Sequence, residues 1–289
     1  MRVRARIALA TYDGAPDLAP DDQSLLPALA AEGIDGEAAV WSSDSVAWAS
    51  FDAVLIRSCW DYHLHIAVFR DWLARLESIG VRVWNLPAVV RWNADKRYLI
   101  DLARRGVATI PTTIVSTGNG RDVEGIIASN GWRAFVVKPA ISASGHETHV
   151  FNASINDADR ATIARVASLC DVLVQPFAEE VRRDGELSFT FIDGAYSHAT
   201  LKRAPPGEFR VQTEHGGSVE AADPPRGLVD EAARALEGFS ELPLYARVDG
   251  IVRDGSFLLM ELELIEPNLF LAFAPGAARR LARAIAARL

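Results

Sequence analysis

The sequence predicts an α/β fold that turns α+β toward its C-terminal end, and three observations predict it. Strand and helix signals alternate through the first ninety residues, as they do in a parallel sheet covered by helices. The alternation continues more loosely from 93 to 174. From residue 171 strands come densely, only one helix interrupts them, and the chain closes on an amphipathic helix. We therefore expect three units: an α/β unit over 1–92, a central unit over 93–174 and an antiparallel-sheet unit over 175–289.

In the first unit, "RIALATY" is a short apolar strand. The stretch 21–33 reads as a helix with Asp and Ser as cap residues and Gly33 as its stop. The run 51–58 is a buried strand, 66–80 an amphipathic helix ending at Gly80, and "VRVWN" another strand. In the second, 93–106 reads as a helix capped by Asn93 and stopped by Gly106, 133–139 as a strand closed by Pro139, and 156–169 as a helix. From 171 onward the strands are "DVLVQPF", "LSFTFIDG", "YSHATLK", "YARVDGIV" and "SFLLMELEL". A helix is expected over 226–238, and a last one follows Pro275, a residue suited to a first helical turn.

Composition narrows the function classes. The chain of 289 residues is 49% hydrophobic and 24% charged, which suits a globular protein with a sizeable core. A net charge of −8 argues against nucleic acid as a partner, because phosphate backbones need a basic footprint. The two cysteines, Cys59 and Cys170, lie far apart in no metal-like spacing and suit a reducing compartment. The apolar run near the start is too short for a signal peptide core, and no apolar span reaches 18 residues, so a cytoplasmic protein away from membranes is expected.

The chemistry concentrates in one hairpin. Along "SFLLMELEL", Leu258, Met260, Leu262 and Leu264 share one parity, while Glu261 and Glu263 take the other, with Cα atoms roughly 6.6 Å apart. The preceding strand puts Tyr245, Arg247, Asp249 and Ile251 on one face. Paired residues in an antiparallel hairpin point to the same side. A two-residue Asp254-Gly255 turn would pair Asp249 with Met260 and separate the acids. A three-residue loop, Asp254-Gly255-Ser256, or an equivalent bulge, pairs Asp249 with Glu261. In that register three carboxylates converge, and hard oxygen ligands without His or Cys suit Mg²⁺ or Mn²⁺. A hairpin with its charges simply in water fits the same alternation.

Other segments bear on that choice. Lys138 ends a buried strand and precedes the Ser/Gly stretch 140–148, whose N–H groups can wrap a phosphate. Lys96 sits in the first turn of its expected helix, where the dipole disfavours a cation. Gln175 to Phe177 could supply a flat slot for a base, and Glu186 a carboxylate for ribose hydroxyls.

In order, "NADKRYLIDLARRGVATIPTT", "FVVKPAISASGHETHVF", "LVQPFAEEVRRDGELSFTFIDG", "LKRAPPGEFRVQTEHGGS" and "ARVDGIVRDGSFLLMELELIEPN" resemble the ATP-grasp superfamily, in its glutathione-synthetase and ribosomal-protein glutamate-ligase branch. The resemblance covers about residues 93–270 and implies an N-terminal α/β domain, a central lid and a C-terminal domain, with ATP gripped between the last two. It implies Lys96 and Lys138 as phosphate lysines, Ser142, Ser144 and Gly145 in the covering loop, Gln175 and Phe177 at adenine, and Glu186 at ribose. It implies Asp249, Glu261 and Glu263 as magnesium ligands, with Arg247 and Arg210 steadying the transferred phosphate or the tetrahedral intermediate. Two departures stand out: Glu263 where the branch usually has Asn, and Ile265-Glu266-Pro267 where it usually has Thr-Ser-Pro. The substrate neighbourhood is therefore expected around Arg203, Glu266 and Asn268.

"RSCWDY" (57–62) follows a strand of the first unit, at the end where open α/β sheets bind ligands. Arg57 could pair with a substrate carboxylate and Asp61 with an ammonium, or the two could pair with each other. This segment and the chain length are similar to the ATP-grasp cyclo-ligases that form D-cycloserine. The implied reaction phosphorylates a carboxylate and lets a nitrogen displace the phosphate, within one amino-acid-like molecule or between two. A nucleotide-binding protein without catalysis is the rival from another class, and a homodimer is left open. "HETH" (146–149) is not a zinc motif, and Cys59 reads as a small buried thiol.

Overall fold

The computed structural model describes residues 5–211 and 215–289 and contains three sheets. The first is built from β1 (Ala5–Thr11), β2 (Ile34–Val40), β3 (Ala53–Ser58) and β4 (Arg82–Trp84), all parallel in the order β2-β1-β3-β4. Its covering helices include α1 (Pro20–Gln23), α2 (Leu25–Ala31) and α3 (Ile66–Ser78). The helix expected over 21–33 is thus two helices that meet at Ser24.

The chain leaves this sheet through α4 (Pro87–Asn93) and α5 (Tyr98–Arg104). Asn93 is the last residue of α4 rather than the cap of a helix that follows. Its amide takes a different partner: Nδ2 donates to the Leu262 carbonyl and Oδ1 accepts from Leu264 N–H, both at 2.8 Å. Lys96 consequently lies in the turn between α4 and α5, two residues before α5.

The second sheet is antiparallel and comprises β5 (Thr113–Val115), β6 (Ala134–Pro139), β7 (His149–Asn152) and β8 (Val172–Pro176), in the order β5-β8-β6-β7. Helices α6 (Asp122–Asn130) and α7 (Asp157–Leu169) share its apolar core of Val123, Ile127, Phe135, Val137, Ile163 and Val174. Asn156 and Asp159 form a capping box that starts α7.

After α8 (Glu180–Arg183), a five-stranded antiparallel sheet carries β9 (Glu186–Ile192), β10 (Ala195–Arg203), β11 (Ser218–Ala222), β12 (Tyr245–Arg253) and β13 (Ser256–Glu263), in the order β11-β10-β9-β12-β13. One face is apolar: Phe189, Phe191, Ala246, Val248, Leu259 and Leu262 pack with α5 and with α9 (Arg226–Ala233). The other face is polar, and register sets its rows. Thr200, Ser188, Asp249 and Glu261 stand side by side across four strands, and Thr190, Arg247 and Glu263 form the next row.

Packing partners change elsewhere than at residues 92 and 174. Tyr98, Leu99, Leu102 and Val107 join the core of the third sheet, and the 108–110 segment bonds to β13 through Leu259. The closing helix α10 (Ala277–Arg288) packs on the first sheet with α2. Pro275 precedes its Gly276 cap rather than sitting in its first turn. Among the described residues, no helix is long and apolar enough to cross a membrane.

Candidate active site

The acids meet because of a bulge, not because of the turn. The turn from β12 to β13 has two residues, Asp254 and Gly255, both at positive φ, and Arg253 pairs with Ser256. The register then shifts by one between Asp249 and Gly250, so that Met260 is the extra residue on β13, and Asp249 pairs with Glu261 and Arg247 with Glu263. Of the two geometries that the sequence allows for convergence, the structure uses the bulge. Gly250 permits it: a Cβ there would lie 2.2 Å from the Leu258 carbonyl oxygen and 2.6 Å from the Phe257 ring. The bulge also breaks the expected parity. Leu262 and Leu264 stay in the core, but Leu258 pairs with Ile251 on the polar face, and Met260 joins Glu261 in the cavity wall.

That wall belongs to a cavity of about 630 Å³ lying among the three sheets. At one side are apolar groups: Ile110, Val136, Ala178, Val181 and Met260, with Gln175 and Phe177. Gln175 is buried and its amide donates to the Thr112 hydroxyl at 2.8 Å, while the Arg182 guanidinium lies over Phe177, 4.4 Å from the ring centre. At the centre are paired charges. Lys96 Nζ sits 3.0 Å from Glu261 and donates to the Ser142 carbonyl. Lys202 Nζ sits 2.5 Å from Glu186 and 3.0 Å from Asp249. Arg247 grips Asp249 through Nε and Nη2 at 2.9–3.0 Å and also bonds Glu263. Lys138 lines the same space, and Ser142, Ser144 and Gly145 form its rim, the last two at positive φ.

The electrostatics follow from burial and pairing. Burial pushes the Asp249 carboxyl up, but Arg247 and Lys202 more than offset that and hold it at about 2. Burial raises Glu263 to about 7 although Arg247 opposes it, with Asp249 and Glu261 adding repulsion. Glu261 falls below its usual range, because Lys96 and Lys138 outweigh its burial. Burial lowers the Lys138 ammonium against the pull of Glu261, with Lys96 adding to the lowering. Glu266 is pushed well up by burial and then by Glu263.

Could these residues hold a divalent cation? Glu261 and Glu263 open into the cavity, whereas Asp249 lies beneath Arg247 and Lys202 and does not line it. Among the described residues no three acidic, histidine or cysteine side chains close around one point. The donor set is hard oxygen, and two carboxylates fit a Mg²⁺ ion that takes its remaining ligands from water and phosphate rather than from an all-protein cage.

Three expected substrate residues lie elsewhere. Arg57 is fully buried: its Nε donates to Asp22 at 2.9 Å, its Nη2 to the Pro267 carbonyl at 2.6 Å, and its guanidinium covers the Tyr245 ring. Its guanidinium is therefore engaged within the chain and does not pair with Asp61. The Asp61 carboxylate accepts from the Trp41 indole at 2.7 Å and is absent from the cavity wall. Arg203 points to the outer side, where Nη1 donates to the Asp184 carbonyl and Nε lies 3.5 Å from Glu220. Its neighbour Lys202 takes the inner position because β10 carries its own bulge at Tyr196–His198, which pairs Lys202 with Glu186. A plain two-residue turn at Asp193-Gly194 would have put Leu201 opposite Glu186 and Arg203 on the polar face.

The remaining expected residues are at the cavity. Arg210 lines its edge, paired with Glu208 at 2.6 Å. The stretch quoted with it, "LKRAPPGEFRVQTEHGGS", includes Gln212, Thr213 and Glu214, which lie outside the described residues. Glu266 and Asn268 line the end nearest the first sheet, with Asp21, Trp60, Tyr62 and Phe273. Lys202, Tyr62 and Asp21 also line the cavity without being expected there; Tyr62 belongs to RSCWDY, and Lys202 is the neighbour of Arg203. Cys59 is buried, as expected of a small thiol.

Three sheets around a cavity of paired lysines and carboxylates make this chain an ATP-grasp ligase, an enzyme that forms C–N bonds. The family described as the N-terminal domain of D-cycloserine synthetase DcsG matches residues 7–85. The cycloserine biosynthesis protein DcsG of Streptomyces lavendulae is 37% identical over 284 residues, 93% of this chain and 94% of that protein. A crystal structure of D-cycloserine synthetase DcsG superposes with a TM-score of 0.90 at 34% identity, covering 98% of this chain and 99% of that one. A RimK-domain ATP-grasp protein from Sphaerobacter thermophilus shares the fold, with a TM-score of 0.71 at 18% identity over 97% of this chain and 99% of its own. The chain belongs to the D-cycloserine synthetase family of ATP-grasp ligases.

Proposed function

We propose that this ligase uses ATP and Mg²⁺ to activate the carboxylate of a small amino-acid-like substrate as an acylphosphate, which a nitrogen of the same molecule then attacks to close a ring. One observation carries the reading: in a single cavity, Lys96, Lys138, Lys202 and Arg247 stand against Glu186, Glu261 and Glu263, with Asp249 behind them. Similarity to a protein named for cycloserine biosynthesis supports ring closure over joining two molecules.

In this reading adenine takes the apolar side at Ile110, Val136, Gln175 and Phe177, and Glu186 receives the ribose. The phosphates run toward Lys96 and Lys138 under the Ser142–Gly145 rim. Glu261 and Glu263 would hold the cation together with phosphate oxygens, and Mg²⁺ when bound offsets charge on the transferring phosphoryl group. A carboxylate is a poor electrophile, so the γ-phosphoryl group passes first to a carboxylate oxygen, releasing ADP. The nitrogen then bonds to the carbonyl carbon, the C–O bond to phosphate breaks and the nitrogen loses a proton. Lys138 and Arg247 balance phosphate charge in this reading, with Arg210 at the edge as a further cation. The chain's main contribution is position and exclusion of water.

The test is Mg²⁺-dependent release of ADP and phosphate with a panel of amino acids that carry a side-chain nitrogen. Product mass distinguishes the outcomes: substrate less one water for a ring, two substrates less one water for a joined product. Glu261→Gln should abolish turnover and leave the fold intact. Retained turnover would remove Glu261 from the phosphate–cation machinery.

A further inference from the structure

We propose that Glu266 receives the ammonium group of an α-amino-acid substrate and so selects substrates whose α-amine is free; this rests on the carboxylate-activation reading above. The argument starts from how charge is distributed in the cavity. Glu261, Glu263 and Glu186 each face a lysine or arginine of the chain within ion-pair distance. Asp21, at the far end, spends both oxygens on backbone N–H groups of Leu271 and Ala272 at 3.0 and 3.1 Å. Glu266 lines the same cavity, and among the described residues no lysine or arginine lies within ion-pair distance of its carboxylate, which accepts only from its own backbone N–H. Ionising a half-buried carboxyl without a cationic partner is costly, and an ammonium ligand would offset that cost with a charge-assisted hydrogen bond.

The backbone beneath it is fixed. Three successive carbonyls accept side-chain donors from three different places: Glu266 from the Trp60 indole at 3.2 Å, Pro267 from Arg57 at 2.6 Å and Asn268 from Arg247 at 2.9 Å. Because the carbonyls are held, Glu266 and Asn268 keep their side chains in the cavity, and Trp60 and Tyr62 complete the wall beside them. The position also orders the substrate. The lysines and Arg247 gather at the centre, where a carboxylate can meet the transferred phosphate, and the unmatched acid lies just beyond Glu263 along the chain. An amino acid spans that gap with its carboxylate toward the cations and its amine toward Glu266. Pro267 helps hold the geometry by fixing φ next to the recognising residue.

The experiment pairs each amine with the same acid lacking it. Alanine, serine and 2,3-diaminopropionate, as both D- and L-isomers, are titrated calorimetrically into wild type, Glu266→Gln and Glu266→Asp, each preloaded with ADP and Mg²⁺. Propionate, 3-hydroxypropionate and β-alanine are the counterparts without the α-amine. Wild type should bind at least one amine about 10–100-fold more tightly than its counterpart. Glu266→Gln should lose that preference while binding ADP as wild type does, and Glu266→Asp should keep the preference with weaker binding. A wild type that binds no amine more tightly than its counterpart overturns the proposal, as does a Glu266→Gln protein that keeps the preference. ADP release from ATP, measured separately on wild type, reports on carboxylate activation: its absence beside an amine preference that depends on Glu266 would fault that reading and leave this one standing.

Discussion

Arg57 divides the sequence expectation from the structure most sharply, and Arg57→Met is the perturbation that tests the difference. The side chain is fully buried, its Nε bonds Asp22, its Nη2 bonds the Pro267 carbonyl, and Asp22 keeps a second bond from Ser58. Methionine fills similar space but strands the Asp22 carboxylate in a buried setting. Removing one member of a buried ion pair costs about 3–5 kcal/mol. At roughly 2–4 °C per kcal/mol for a chain of a few hundred residues, the melting temperature should drop by about ten degrees. Urea unfolding followed by circular dichroism gives the free energy, and Asp22→Asn in the Arg57→Met background should recover about half of the loss, because the stranded charge is gone. Activity at a temperature where the variant stays folded should fall through the loosened 266–268 backbone. An Arg57→Met protein of unchanged stability whose KM alone rises tenfold or more would refute this reasoning and return Arg57 to the substrate.

Further predictions follow from the same geometry. Lys202→Met should lower kcat/KM by at least about 100-fold, since Glu186 and Asp249 both lose their ammonium, whereas Arg203→Ala on the outer face should stay within about twofold; steady-state kinetics compares them. Gly250→Ala should cost about 1–3 kcal/mol, read by chemical denaturation, and should reduce turnover more than that stability loss explains, because relieving the contact with the Leu258 carbonyl disturbs the bulge that aligns the acids. Asp171 is held at about 2, below its usual 3.8, by bonds from the Thr117 hydroxyl, Arg97 and Thr117 N–H. A lowered folded-state value means stabilisation that is present above about pH 4 and is lost as pH falls toward 2, so Asp171→Asn should flatten that part of the stability–pH curve.

The sequence carried the fold class well, because the signals that define it are local. Hydrophobic period and Gly punctuation mark the strands of the first sheet, and the turn residues Asp193-Gly194 and Asp254-Gly255 mark both hairpins of the third. What local pattern cannot carry is a one-residue insertion. The bulge at Met260 brings Asp249 opposite Glu261, and only the demand that the acids meet announced it. The bulge at Tyr196–His198 had no such demand attached, and it exchanges Arg203 for Lys202 in the site. Long-range partners were equally hidden. Arg57 lies 35 residues from Asp22 and 210 from Pro267, and Asn93 is 169 residues from the strand it pins. RSCWDY is expected near the substrate from sequence alone, yet most of its polar groups bond the backbone of 266–268 or Trp41. The Glu266-Pro267-Asn268 segment, expected at the substrate border, is where those supports converge.

The central claim is that the ligase activates a carboxylate by phosphorylation. Its most direct measurement follows oxygen: an amino acid turned over by the enzyme, labelled with ¹⁸O in both carboxylate oxygens, is incubated with ATP and Mg²⁺, and the released phosphate is weighed by mass spectrometry. Transfer through an acylphosphate leaves one labelled oxygen in each phosphate. Phosphate that carries none, formed at the same rate as product, would contradict the account.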